Sequence, residues 1–290
     1  MQKKLNKIAK DTNSFLKRFI QNQKKTELIK PMKYGLFSGG KKIRSKILID
    51  IGSIFNLDYK KLIIIGSAVE CIHAYSLIHD DLPCMDDDLI RRGKPSTHIK
   101  FGESTAVLAG NSLLTMAFEI LSNKELKIPE DIKIKLINKI SESSGHRGIA
   151  GGQFLDLSFE HKRISKKRIV EMEIKKTGKL FSFCCLAPLI IKKRNIKEIK
   201  LFENIGSDIG LLFQVADDLI DYRGNSFKAG KKTGKDKKKG KATLISLLGY
   251  KNTIKYANNL ILKIQKKLKK YGSKSVNISN TLIYILNRNK

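Results

Sequence analysis

The chain has 290 residues, 41% of them hydrophobic, which permits a full apolar core and excludes wholesale disorder. Lysine and arginine number 58 against 27 aspartates and glutamates, a formal net charge of +31. The lysines are spread along the whole chain rather than gathered in one stripe, so the excess reads as compositional drift more than as a nucleic-acid footprint.

In chain order, the first twenty residues carry lysines but no continuous apolar stretch, which argues against a secretory signal and for a cytoplasmic protein. Residues 5–23 read as an amphipathic helix. Residues 45–55 and 60–79 are apolar helical segments, with Asp58 a candidate cap before the second. Residues 105–121 form another, rich in Ala and Leu. Residues 131–143 place Ile132, Leu136, Ile137 and Ile140 on one helical stripe. Residues 165–192 read as a helix pair or a kinked helix, with Pro188 near a break. Residues 196–222 and 243–271 complete the set. Strands are not required, no repeat of 20–50 residues is present, and no Ser/Pro-rich linker cuts the chain, so residues 1–290 are expected to form a single helical domain. No uncharged apolar run reaches about 18 residues, so no transmembrane segment is expected. Cys71, Cys84, Cys184 and Cys185 lack metal-ligand spacing and read as small core residues in a reducing compartment.

Three loops carry charge. Residues 35–42 (GLFSGGKK) form a glycine turn that delivers lysines, and residues 91–102 (RRGKPSTHIKFG) a polar connection. Residues 223–241 hold eight lysines, Lys228, Lys231, Lys232, Lys235, Lys237, Lys238, Lys239 and Lys241, and are expected to be mobile until an anion binds.

Against this basic background stand two acidic clusters, Asp80 to Asp88 (DDLPCMDDD) and Asp217 to Asp221 (DDLID). Crowded carboxylates repel one another unless a cation neutralises them. Mg²⁺ is held in this way by a few carboxylates plus substrate phosphates. Asp217 and Asp221 lie one helical turn apart, with Asp218 flanking, so one helix end can present three carboxylates to a metal site. Asp86 would fall about 240° from Asp80 on an ideal helix. Pro83 breaks that helix, and a bent turn is expected to bring Asp86 back towards Asp80. A solvated acidic helix end is the alternative for either cluster alone. Gly39-Gly40-Lys41-Lys42-Ile43-Arg44 has the make-up of a phosphate-gripping turn, although a helix start with exposed lysines explains it equally well. His73 lies two turns before Asp80 on the same face, as a core histidine or a ligand contact.

Together, GGKKIR, ECIHAYSLIHDDLPCMDDDLIRRG, GGQFLDL, KKTG, FQVADDLID, GK-x-x-G-x-D and GKAT resemble the trans-prenyltransferases, the isoprenyl diphosphate synthases, in family order over about residues 34–248. The resemblance implies an all-α isoprenoid synthase fold: a single-domain bundle of long, mostly antiparallel helices around a central cavity, usually a homodimer. It implies that Asp80, Asp81 and Asp86, with Asp217 and Asp221, hold three Mg²⁺ against an allylic diphosphate. Arg91, Lys176, Thr177, Gln214, Lys231 and Lys241 would contact that diphosphate, and Lys176 and Lys231 would be catalytic beside the aspartates. Lys41, Arg44, His73 and Arg92 would hold isopentenyl diphosphate, and residues 223–241 would close over both. The implied reaction is head-to-tail condensation of isopentenyl diphosphate with dimethylallyl and geranyl diphosphates to farnesyl diphosphate.

Chain length would be set by Tyr75, five residues before Asp80, with the small Ser76 alongside; an aromatic there, with an insertion at Pro83-Cys84, resembles the farnesyl-type members. A core role for Tyr75 is the alternative. Leu89 stands where close relatives often carry a fourth aspartate, Asp88 reads as peripheral, and the role of Asp87 stays open. Competing readings are a ten- or twenty-carbon synthase, a terpene cyclase, and a basic helical nucleic-acid-binding protein. The isopentenyl set disfavours the cyclase, and the acidic clusters disfavour the last.

Overall fold

The computed structural model describes residues 1–223 and 241–288. Among these the chain is helical almost throughout, as expected, apart from a short antiparallel pair, Ile90–Arg91 against Lys94–Pro95. Sequence reading did not anticipate this hairpin. Its two-residue turn, Arg92 (φ 54°) and Gly93 (φ 76°), has the positive dihedrals that match the strand twist. The chain divides into two compact units: Gln2–Ile49 with Leu57–Ile137, and Met1 with Asp50–Asn56 and Asn138–Lys290.

In the first unit the central element is the helix Tyr59–Asp80. Asp58 caps it, its side chain accepting the Lys61 amide at 3.0 Å. Leu62 to Val69, Ile72, Tyr75 and Ile78 are buried, the pattern of a helix apolar on all sides. It packs against Glu103–Ser122 and Gln2–Gln21. Its one interior acid, Glu70, accepts Ser45 Oγ at 2.9 Å and faces Lys42 Nζ at 3.5 Å. Pairing of this kind is what a buried carboxylate needs. Ile29–Leu36 was not anticipated; Pro31 falls in its first turn, where a missing N–H is harmless.

Two helices, Tyr59–Asp80 and Glu103–Ser122, are long and apolar enough to cross a membrane, although the lack of an uncharged run had suggested none. The most apolar window of Tyr59–Asp80 is 83% buried and supplies the core.

In the second unit the helix Ile196–Tyr222 starts at Asn195, whose side chain accepts the Glu198 amide at 2.9 Å. It packs against Lys179–Ile191, Tyr250–Leu268 and Val276–Asn287. The segment expected at 165–192 resolves into Lys166–Glu173, a π-helical turn Ile174–Gly178, and Lys179–Ile191. The irregularity therefore falls at the π turn, while Pro188 sits inside the last helix near its end. Two close backbone approaches accompany the turn. A Cβ on Gly152 would overlap the Lys176 backbone, and one on Gly210 would overlap Gly178 Cα. The segment expected at 243–271 breaks at Gly249 (φ 75°) into Leu244–Leu248 and Tyr250–Leu268. Cys71, Cys184 and Cys185 are buried, whereas Cys84 is exposed beyond Pro83 and is not a core residue.

Candidate active site

The first acidic cluster begins where Tyr59–Asp80 ends. The chain then folds back on itself: the Asp86 amide donates to the Asp80 carbonyl at 2.8 Å, and the Asp88 amide to that of Asp81 at 3.1 Å. Asp86 thus returns to Asp80 as the proline had suggested. Arg91 Nε donates to Asp81 Oδ1 at 2.8 Å, and Nη2 to Asp88 Oδ2 at 3.0 Å. Burial raises the Asp81 pKa even though Arg91 opposes it. Burial would lower that of Arg91, but Asp81, Asp88 and Asp80 outweigh it and the net shift is upward. Asp88 is therefore no bystander; it is buried and shares the guanidinium. Its spacing three residues before Arg91 was the available signal.

The basic groups of the same unit converge on His73. Burial first, then Arg44, Arg92, Lys42 and Arg91, push its pKa well below the ordinary value. Two of these cations are themselves paired, Lys42 with Glu70 and Arg91 with Asp81 and Asp88. Arg92 Nη1 donates to the Gly39 carbonyl and to Ser38 Oγ, the latter at 3.3 Å. Its guanidinium fills the space where Gly40 (φ 103°) has no side chain. Lys42 turns inward to Glu70, and Lys41 is half-buried.

Tyr75 is buried and meets His79 edge-on at 5.8 Å. Burial, then Asp80, lifts its hydroxyl to about 12. His79 in turn contacts the Val107 carbonyl at 3.1 Å. Ser76 Oγ donates to the His73 carbonyl at 3.0 Å.

In the second unit Asp217 receives Arg288 Nη2 at 2.7 Å, and that guanidinium lies 3.7 Å from the Phe213 ring centroid. The three carboxylates expected at this helix end differ in burial and in partners. Asp218 is buried and accepts Gln214 Nε2 at 3.0 Å, while Gln214 Oε1 accepts Thr177 Oγ1 at 3.2 Å. Asp221 is buried, and Asp217 is the partly exposed member, 41% by side chain. Lys176 and Lys241 both donate to Asp156 Oδ2, at 2.6 and 3.0 Å. Burial alone would raise the Asp156 pKa; the two lysines hold it at about 2. Sequence reading passed over Asp156, although it lies within the GGQFLDL motif, and over Arg288, whose partner is 71 positions away. Lys231 lies outside the described residues.

Among the described residues no three His, Cys, Asp or Glu side chains form a ready-made metal cluster. Mg²⁺ commonly keeps several waters and takes one or two carboxylates plus substrate phosphates. The donors are all hard oxygens, and Asp81 and Asp217 each already face a cationic side chain.

A helical protein with two aspartate clusters, each meeting an arginine, has the make-up of an enzyme acting on diphosphates. The polyprenyl synthetase family model matches residues 25–280. Farnesyl diphosphate synthase of Escherichia coli K12 is 38% identical over 99% of this chain and 98% of its own length. That of Bacillus subtilis is 40% identical over 83% and 85%. An FPP/GFPP synthase structure from Zymomonas mobilis superposes with a TM-score of 0.87 at 33% identity, covering 98% of this chain and 100% of that one. A Helicobacter pylori geranyltransferase, solved with magnesium and isoprenyl diphosphate, gives 0.82 at 30% identity over 98% and 96%. The chain belongs to the polyprenyl synthetase family.

Proposed function

We propose that the chain is a Mg²⁺-dependent prenyltransferase making farnesyl diphosphate. It joins isopentenyl diphosphate head to tail to dimethylallyl diphosphate and then to geranyl diphosphate. The observation that carries the reading is near full-length similarity to a farnesyl diphosphate synthase, with both aspartate clusters present. Three Mg²⁺, held by Asp80, Asp81 and Asp86 and by Asp217 and Asp221, would offset the charge that builds on the departing diphosphate.

Arg91, Lys176, Thr177, Gln214, Lys231 and Lys241 grip that diphosphate. Lys41, Arg44, neutral His73 and Arg92 hold isopentenyl diphosphate so that its alkene lies beside the allylic carbon. The allylic C–O bond breaks, the alkene attacks the cation, and transfer of a proton to the released diphosphate restores a double bond. No side-chain nucleophile is needed. Tyr75 closes the floor that stops growth, and it is backed by His79. The count of three ions, a single working domain, a homodimer and a cytoplasmic setting rest on the family resemblance.

The test is product length from dimethylallyl and isopentenyl diphosphates with Mg²⁺, resolved by chromatography. Wild type should release a fifteen-carbon product and Tyr75→Ala a longer one. A wild-type product of ten or twenty carbons would reject the farnesyl assignment. An unchanged product from Tyr75→Ala would reject the floor.

A further inference from the structure

Asp156 is buried on the helix Ile149–Ser158, one turn after Gly152 and so on the same face. That face meets the π turn in two ways. At Gly152 the lack of a side chain lets the helix touch the Lys176 backbone. At Asp156 a carboxylate oxygen accepts the Lys176 ammonium at 2.6 Å. The same oxygen accepts Lys241, 85 residues along the chain, at 3.0 Å. Both lysines are largely shielded, 21% and 11% exposed by side chain. One carboxylate oxygen thus ties together two ammoniums that lie far apart in the sequence.

We propose that Asp156 is a positioning residue for the condensation: it holds the Lys176 and Lys241 ammoniums side by side, so that the allylic diphosphate meets both together. This rests on the function proposed above. Lysine is a point charge on a flexible stem, and a pair fixed in advance has less freedom to lose on binding. The clamp stays charged at any working pH because its carboxyl titrates at about 2.

The experiment compares full-length wild type, Asp156→Asn and Asp156→Glu. Steady-state kinetics use geranyl and isopentenyl diphosphates with Mg²⁺, and calorimetry uses inorganic diphosphate. Asp156→Asn should raise KM for geranyl diphosphate about tenfold or more, the size of one lost charge-assisted hydrogen bond. It should leave KM for isopentenyl diphosphate within about twofold, since those lysines belong to the allylic set. Inorganic diphosphate should bind correspondingly more weakly, and Asp156→Glu should recover most of the loss.

Equal rises in both KM values, as a general structural lesion would give, overturn the clamp, and so does an unchanged geranyl KM. Should Asp156→Asn fail to fold, Lys241→Met paired with Asp156→Glu decides. The glutamate should cost less in that background than in wild type, and an undiminished cost overturns the proposal. A wild-type chain that condenses nothing removes the proposed function instead, and the diphosphate titration then judges the clamp alone.

Discussion

Glu173 and Asp156 show opposite fates for buried acids. Glu173 is 2% exposed. Burial first, then Asp218 and Asp156, push its pKa well above the usual 4.5. The folded chain therefore keeps a proton that the unfolded chain loses from about pH 4.5 upward, so this residue subtracts stability as pH rises through that window. Glu173→Gln has no proton to lose. It should stabilise the protein more at pH 8 than at pH 4, by about 1 kcal/mol, or about 2–4 °C in Tm. Thermal melts at the two pH values check this, and identical gains at both would refute it. Asp156 has the reverse sign. Its pKa of about 2 lies below the usual 3.8, so its contribution is present above pH 3.8 and is lost as pH falls towards 2.

At the scale of elements, the π turn Ile174–Gly178 carries Lys176 and Thr177, and it is seated by a glycine contact from another helix. Gly152→Ala places a methyl against the Lys176 backbone. It should cost about 1–3 kcal/mol, as overpacking does, and weaken allylic substrate binding. Denaturant melts and the geranyl KM measure the two effects, and a fully stable variant with unaltered KM would show that the contact is slack. This turn was not legible in the sequence, because long-range backbone contact shapes it rather than local preference. Ile149–Ser158 was missed for a related reason: its glycines depress helix propensity, and the packing that compensates is tertiary. By contrast, both ends of Tyr59–Asp80 could be read correctly, since Asp58 caps its start locally and Pro83 bends the chain beyond its end. The aspartates were conspicuous by spacing alone. Their arginines were less so: Arg91 was assigned to substrate, and its bond to Asp81 needed coordinates to be seen.

For the whole molecule, 58 basic residues against 27 acidic ones make stray cations superfluous everywhere except at the two acidic clusters. There Arg91 pairs with Asp81 and Asp88, and Arg288 pairs with Asp217. Removing divalent ions should therefore leave Tm nearly unchanged. Mg²⁺ together with inorganic diphosphate should raise Tm by more than the sum of the separate effects. Strictly additive shifts would show that the arginines do not compete with metal. If the aspartates hold Mg²⁺ as proposed above, each guanidinium would act as a stopper on its own acidic cluster. A lone divalent ion gains little by evicting it, whereas an anion arriving alongside offers the ousted arginine a new home. The two ligands would then be admitted as a couple, a coincidence lock made from nothing more than two tethered side chains.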